Sequence, residues 1–156
     1  MPHKKCVFCD VVTKQQESYV FWEDEGHMAF LSRHPNTKGF SFVIPKEHYP
    51  NDPSNVDETI FLNLMLASKQ ASRLLASGLA IANCSIIIES YGVNHLHSKL
   101  FPMHGTSPGQ PWYPTSLSPT EKIYPEYPGY TATNQGPKAA QIELELTLAE
   151  IINNNF

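Results

Sequence analysis

Two groups of side chains in this 156-residue sequence are of types that do chemistry. The first is Cys6-Val7-Phe8-Cys9, whose paired thiols suit either one metal ion or a redox couple. A redox couple normally opens a helix after a strand, and no strand precedes this pair. Metal ligation and two small core residues therefore both stay open. The second group is His95-Leu96-His97-Ser98-Lys99. Read as a strand, it alternates faces, so His95, His97 and Lys99 share one side while Leu96, Ser98 and Leu100 share the other. His48, in Pro45-Lys46-Glu47-His48, and His95 stand at the ends of candidate strands and could complete a closed Cys2His2 set. Sulfur and imidazole nitrogen suit tetrahedral zinc, and four protein ligands leave no open position, so such a zinc would be structural.

The elements that must position these groups follow from periodicity. Tyr19-Val20-Phe21-Trp22, Met28-Ala29-Phe30-Leu31 and Phe40-Ser41-Phe42-Val43-Ile44 read as strands, the last ending at Pro45. Asp52-Pro53-Ser54 is a helix-start signature, followed by Ile60, Phe61, Leu64, Ala67, Ala71, Leu74 and Leu75 at three- and four-residue spacing until Gly78. Cys84-Ser85-Ile86-Ile87-Ile88 is β-branched and reads as a central strand, with Ser90-Tyr91-Gly92 turning toward the strand His95 to Phe101. Residues 102–137, rich in Pro, Gly, Thr and Tyr, read as an ordered irregular excursion. Pro137 opens a final helix, Lys138 to about Ile152, with Ile142, Leu146 and Ala149 as its apolar stripe. The expectation is one α+β domain over 1–156: an antiparallel sheet of about five strands, a long helix packed on it and a C-terminal helix.

Composition narrows the function classes. Eleven basic against fifteen acidic residues, a formal charge of -4, argue against binding a nucleic-acid polymer by neutralising its phosphates. A small anionic substrate remains open, because one pocket can be positive in an acidic protein. Three cysteines, an odd number, and no charged-then-apolar leader over 1–15 point to a reducing, cytoplasmic setting. Polar residues interrupt the most apolar stretch, 60–75, too often for a membrane span.

Cys-x-x-Cys near the start, Phe30-Leu31, Gly39 to Pro45-Lys46-Glu47-His48, a long helix and then His95-Leu96-His97-Ser98-Lys99-Leu100-Phe101 come in an order that resembles the histidine triad superfamily over residues 6–103. The resemblance implies that His97, the middle histidine of the family's strand motif, attacks the α-phosphorus of a nucleotide to form a nucleotidyl-histidine, which water or a second substrate resolves. A neutral imidazole near its pKa is a good nucleophile at pH 7, and a partner on its other nitrogen can fix the tautomer. Zinc-containing members use two cysteines, an intervening histidine and the first motif histidine as ligands, which implies Cys6, Cys9, His48 and His95. The resemblance also implies a homodimer joined into one continuous sheet.

The sequence departs from that pattern at several positions. Lys99 stands where the third histidine would be, and could supply positive charge to the phosphate oxygens. Ser32 replaces an aspartate that holds ribose hydroxyls, Phe40 replaces a histidine, and Arg33 could contact phosphate. The glycine-rich approach to the strand is shortened to Glu89-Ser90-Tyr91-Gly92-Val93-Asn94, where Ser90 and Asn94 could hydrogen-bond an anion. Phe8, Val11 and Phe30 fall where members pack the base, and are equally suited to the core. His3, His27, His34 and His104 carry no supporting pattern. The expected reaction is hydrolysis of a dinucleoside polyphosphate or nucleoside phosphoramidate through nucleotidyl-His97. A nucleotidyl transferase or phosphorylase, and a non-catalytic nucleotide-binding zinc module, are the alternatives.

Overall fold

The computed structural model of the chain describes residues 6–89, 91–109, 125–126 and 136–155. Five strands form one sheet: β1 (Val20–Glu23), β2 (His27–Leu31), β3 (Ser41–Pro45), β4 (Cys84–Ile87) and β5 (Ser98–Pro102), in the order β1-β2-β3-β5-β4. Every neighbouring pair is antiparallel. The β1–β2 hairpin turns on Asp24, whose carboxylate accepts the backbone N–H of Gly26 at 2.9 Å and of His27 at 2.6 Å. Helix α1 (Val7–Val12) precedes the sheet, α2 (Glu58–Gly78) lies between β3 and β4, and α3 (Gln141–Asn153) closes the chain.

Strand alternation divides the core in two. Ala29, Leu31, Val43, Leu96 and Leu100 face α2, which buries Leu64, Ala67, Ala71 and Leu75 against them. The small residues at the helix contact let it lie close enough for Ser68 to reach the hydroxyl of Ser98 at 2.6 Å. On the opposite face Met28, Phe30 and Ile44 pack with Cys6, Phe8, Cys9 and Val11 of the α1 region. One face thus holds the supporting helix, and the other carries the residues with chemistry.

The expected architecture is present, with four local corrections. Pro53–Asn55 forms only a 3-10 turn capped by Asp52, and α2 begins at Glu58, where Asp57 accepts the N–H of Thr59 at 2.8 Å. Two capping aspartates five residues apart make both starts locally reasonable, and the apolar face settles which one grows. Strand β4 is an edge strand, not a central one; its β-branched residues report a packed surface, and β3 takes the inner side of β5. The last strand begins at Ser98, so His95 and His97 lie in its lead-in. Helix α3 starts at Gln141 and buries Leu144, Thr147 and Ile151, leaving Ile142, Leu146 and Ala149 outward. Two stripes were available on that helix, and close docking of Ile151 on Gly78 selects between them. Most of the 102–137 excursion, and Ser90, fall outside the described residues. Among those described, no helix is long and apolar enough to cross a membrane.

Candidate functional site

Because β3 and β5 are antiparallel neighbours, the end of one adjoins the start of the other. His48 comes three residues after β3 and His95 three before β5, so sequence-distant histidines meet there. Cys6 caps α1 and Cys9 follows at i+3, which brings both thiols to the same side. The Cys6 Sγ to His95 Nδ1 distance is 3.4 Å, Cys9 Sγ to His48 Nδ1 is 3.3 Å, and Cys9 Sγ to His95 Nδ1 is 3.6 Å. All four ligand atoms lie within 4.8 Å of one another. Tetrahedral zinc, with bonds of about 2.3 Å to sulfur and about 2.05 Å to nitrogen, requires sulfur–nitrogen separations of about 3.6 Å, so the donor set fits that ion.

The ring orientations agree with ligation. His95 is fully buried, and its Nε2–H donates to the Pro45 carbonyl at 2.9 Å, which leaves the Nδ1 lone pair toward the two sulfurs. Burial pushes the His95 pKa down to about 4, against the pull of the Pro45 hydrogen bond, and His48 and His97 add to the fall. The ring is therefore neutral at pH 7, the form a metal requires.

His97 is held in the complementary tautomer. Its Nδ1–H donates to the backbone carbonyl of His95 at 2.7 Å, so Nε2 carries the free lone pair. Phe8 and Phe42 meet the ring edge-on, with centroids at 5.3 Å and 5.7 Å. Burial also lowers the His97 pKa, the His95 carbonyl opposing it, and this favours the neutral imidazole. Lys99, opposite Phe42 on β3 and Ile87 on β4, faces the same side as His97. It is 8% exposed and its ammonium is ion-paired with Glu89. Burial pulls the Lys99 pKa below the usual lysine range.

Of the residues expected to bind substrate, Phe8 and Phe30 pack together at 5.6 Å and both touch Phe42, beside His97. The others are engaged elsewhere. Ser32 is buried, and its hydroxyl accepts the N–H of His34 at 3.1 Å. Arg33 pairs with Glu17 at 2.8 Å, and Asn94 is exposed, with its side-chain carbonyl on the N–H of Asn51 at 3.2 Å. A cavity of 380 Å³ lined by Ser32, Lys38, Phe40, Lys138 and Leu146 opens beside α3 and contains none of the histidines. Sequence reasoning missed Phe42 and Glu89. Phe42 was legible as an alternate-face strand residue, while nothing local marked Glu89, whose role depends on the β4–β5 register.

The profile of the HIT domain matches residues 13–106. The chain belongs to the HIT domain family. A HIT-like protein of Methanocaldococcus jannaschii is 29% identical over 103 residues, 64% of this chain and 79% of that protein. The adenosine 5'-monophosphoramidase of Schizosaccharomyces pombe is 29% identical over 120 residues, 74% of this chain and 89% of that enzyme. Among solved structures, a zinc-bound histidine triad family protein from Mycobacterium smegmatis superposes with a TM-score of 0.64 at 19% identity, covering 96% of this chain and 94% of that one. This HIT chain carries the Cys-x-x-Cys pair ahead of the matched region, and Lys99 at the third triad position.

Proposed function

We propose that this HIT chain is a nucleotide phosphorus-transfer enzyme that hydrolyses a nucleoside phosphoramidate or dinucleoside polyphosphate through a nucleotidyl-His97 intermediate. The observation that carries the proposal is the Nδ1–H bond from His97 to the His95 carbonyl. It leaves Nε2 as the only nucleophilic nitrogen, and it accepts the positive charge that the ring gains when Nε2 bonds to phosphorus. The leaving group departs with the electron pair of the broken bond and takes a proton from solvent, which regains one when water attacks in the second step. Water then attacks the same phosphorus, displaces Nε2 and yields the nucleoside monophosphate.

Lys99 would stabilise charge on the phosphoryl oxygens, and Phe8 and Phe30 would flank the base. Ser32 would address the ribose, with Arg33 and Asn94 on phosphate; Arg33 must leave Glu17 to do so. Cys6, Cys9, His48 and His95 would hold a structural zinc that fastens α1 to the adjoining ends of β3 and β5. A second copy across the open β4 edge would continue the sheet as a homodimer, in a cytoplasmic setting that keeps both thiols reduced.

A nucleotidyl transferase or phosphorylase is the second reading, favoured by Lys99 in place of the third histidine. Incubation of adenosine 5'-phosphoramidate and a dinucleoside polyphosphate, with and without orthophosphate, tests both. Hydrolysis predicts phosphate-independent release of nucleoside monophosphate, abolished in His97→Ala. Phosphate-dependent formation of a nucleoside diphosphate would replace hydrolysis by the second reading. No turnover in the parent, with equal nucleotide binding by parent and variant, would refute both.

A further inference from the structure

Lys99 does not stand alone on the site face. We infer that Glu89 positions the Lys99 ammonium beside His97 and sets the charge of the pocket. The site thereby favours a phosphorus centre bearing one negative charge over a phosphomonoester dianion. This rests on the reading of His97 as the phosphorus-binding nucleophile, and it adds a residue that the reading does not use.

The placement follows from register. Cys84 pairs with Pro102, Ser85 with Phe101, Ile86 with Leu100 and Ile87 with Lys99. The paired strands end there, at Ile87 and Ser98, and Glu89 follows two residues beyond Ile87. The ion pair places the Glu89 carboxylate on the side of the sheet that Lys99 faces. From there its carboxylate takes the Lys99 ammonium in a diagonal cross-strand pair. The side chains are 25% and 11% exposed, so solvent screens the pair only in part.

Charge then decides what the site prefers. Lysine and glutamate cancel, so the pair itself brings no net charge to the phosphorus. A phosphoramidate monoester, or the α-phosphorus of a polyphosphate, carries one charge at phosphorus. A phosphomonoester carries about -1.5 to -2 at pH 7, and its second charge would lie close to the Glu89 carboxylate. The same pair that accepts the substrate therefore disfavours the nucleoside monophosphate product and speeds its release.

The test compares AMP with its methyl ester, which differ in charge at one phosphate, by calorimetric titration of the full-length parent, Glu89→Gln and Glu89→Asp. The parent is expected to bind the methyl ester more tightly than AMP. In Glu89→Gln the ratio of the two dissociation constants should move roughly tenfold toward AMP, while Glu89→Asp keeps the parent's preference. In turnover of adenosine 5'-phosphoramidate, Glu89→Gln should lower kcat through the displaced ammonium and strengthen inhibition by AMP. A ratio in Glu89→Gln within about twofold of the parent's would overturn the inference. So would a parent that binds AMP at least as tightly as the ester, an outcome that needs no variant to fold. Failure of both probes to bind would instead remove the nucleotide reading and the inference with it.

Discussion

Gly78, the last residue of α2, is the point at which a single methyl group tests how α3 is held. On an isolated helix Gly→Ala stabilises by about 1 kcal/mol. Here a Cβ would lie 2.6 Å from Ile151 Cα and 2.9 Å from both the Ile151 carbonyl oxygen and Asn155 Nδ2. Two of those atoms are backbone and cannot rotate away. Asn154 and Asn155 also donate to the Gly78 and Leu74 carbonyls at 2.6 Å and 2.9 Å, so α3 has little room to slide. Relief requires α3 to lift, which uncovers Leu144 and Ile151, now 7% and 1% exposed. Two such side chains contribute about 3 to 6 kcal/mol at most, which leaves a net destabilisation of about 2 to 5 kcal/mol after the helix-propensity gain. Urea unfolding with linear extrapolation measures it, and the melting temperature should fall by roughly 5 to 20 °C. A Gly78→Ala variant as stable as the parent, or more so, would refute the close docking of α3.

Two further predictions concern the thiols. Protein purified without chelators should contain about one equivalent of zinc per chain, reduced below about a tenth in Cys9→Ser, with a lower melting temperature; elemental analysis showing an equally metal-free parent would sink the zinc assignment. Burial pushes the Cys84 thiol up to about 12. The folded state therefore keeps a proton that the unfolded chain loses from about pH 9, and stability present below that pH declines by about 1.4 kcal/mol per pH unit until pH 12. Cys84→Ala should flatten the alkaline limb of the stability curve by that slope; identical slopes in parent and variant would contradict it.

The sequence by itself determined the element types, the family and the four residues that could hold a metal. These are carried by local periodicity and by rare residue types in a fixed order: Cys6, Cys9, His48, then His95 and His97 on a strand-like run. It also gave the alternation that puts His97 and Lys99 on one face, because a period of two survives even where hydrogen bonding begins only at Ser98. Helix starts were less legible, since Asp52 and Asp57 both cap and only the buried face of α2 distinguishes a turn from a helix.

Only tertiary structure decided the rest. Whether a β-branched segment is central or at an edge depends on which strand pairs beside it, and β3 rather than β4 lies inside. Which stripe of α3 is buried depends on the one place where Gly78 admits a backbone. The tautomer of His97 depends on a carbonyl, which every residue has, and the Glu89–Lys99 pair on a register between strands. Side-chain type is written in the sequence, whereas a partner's distance is a property of the folded chain, and the chemistry proposed at His97 depends on both.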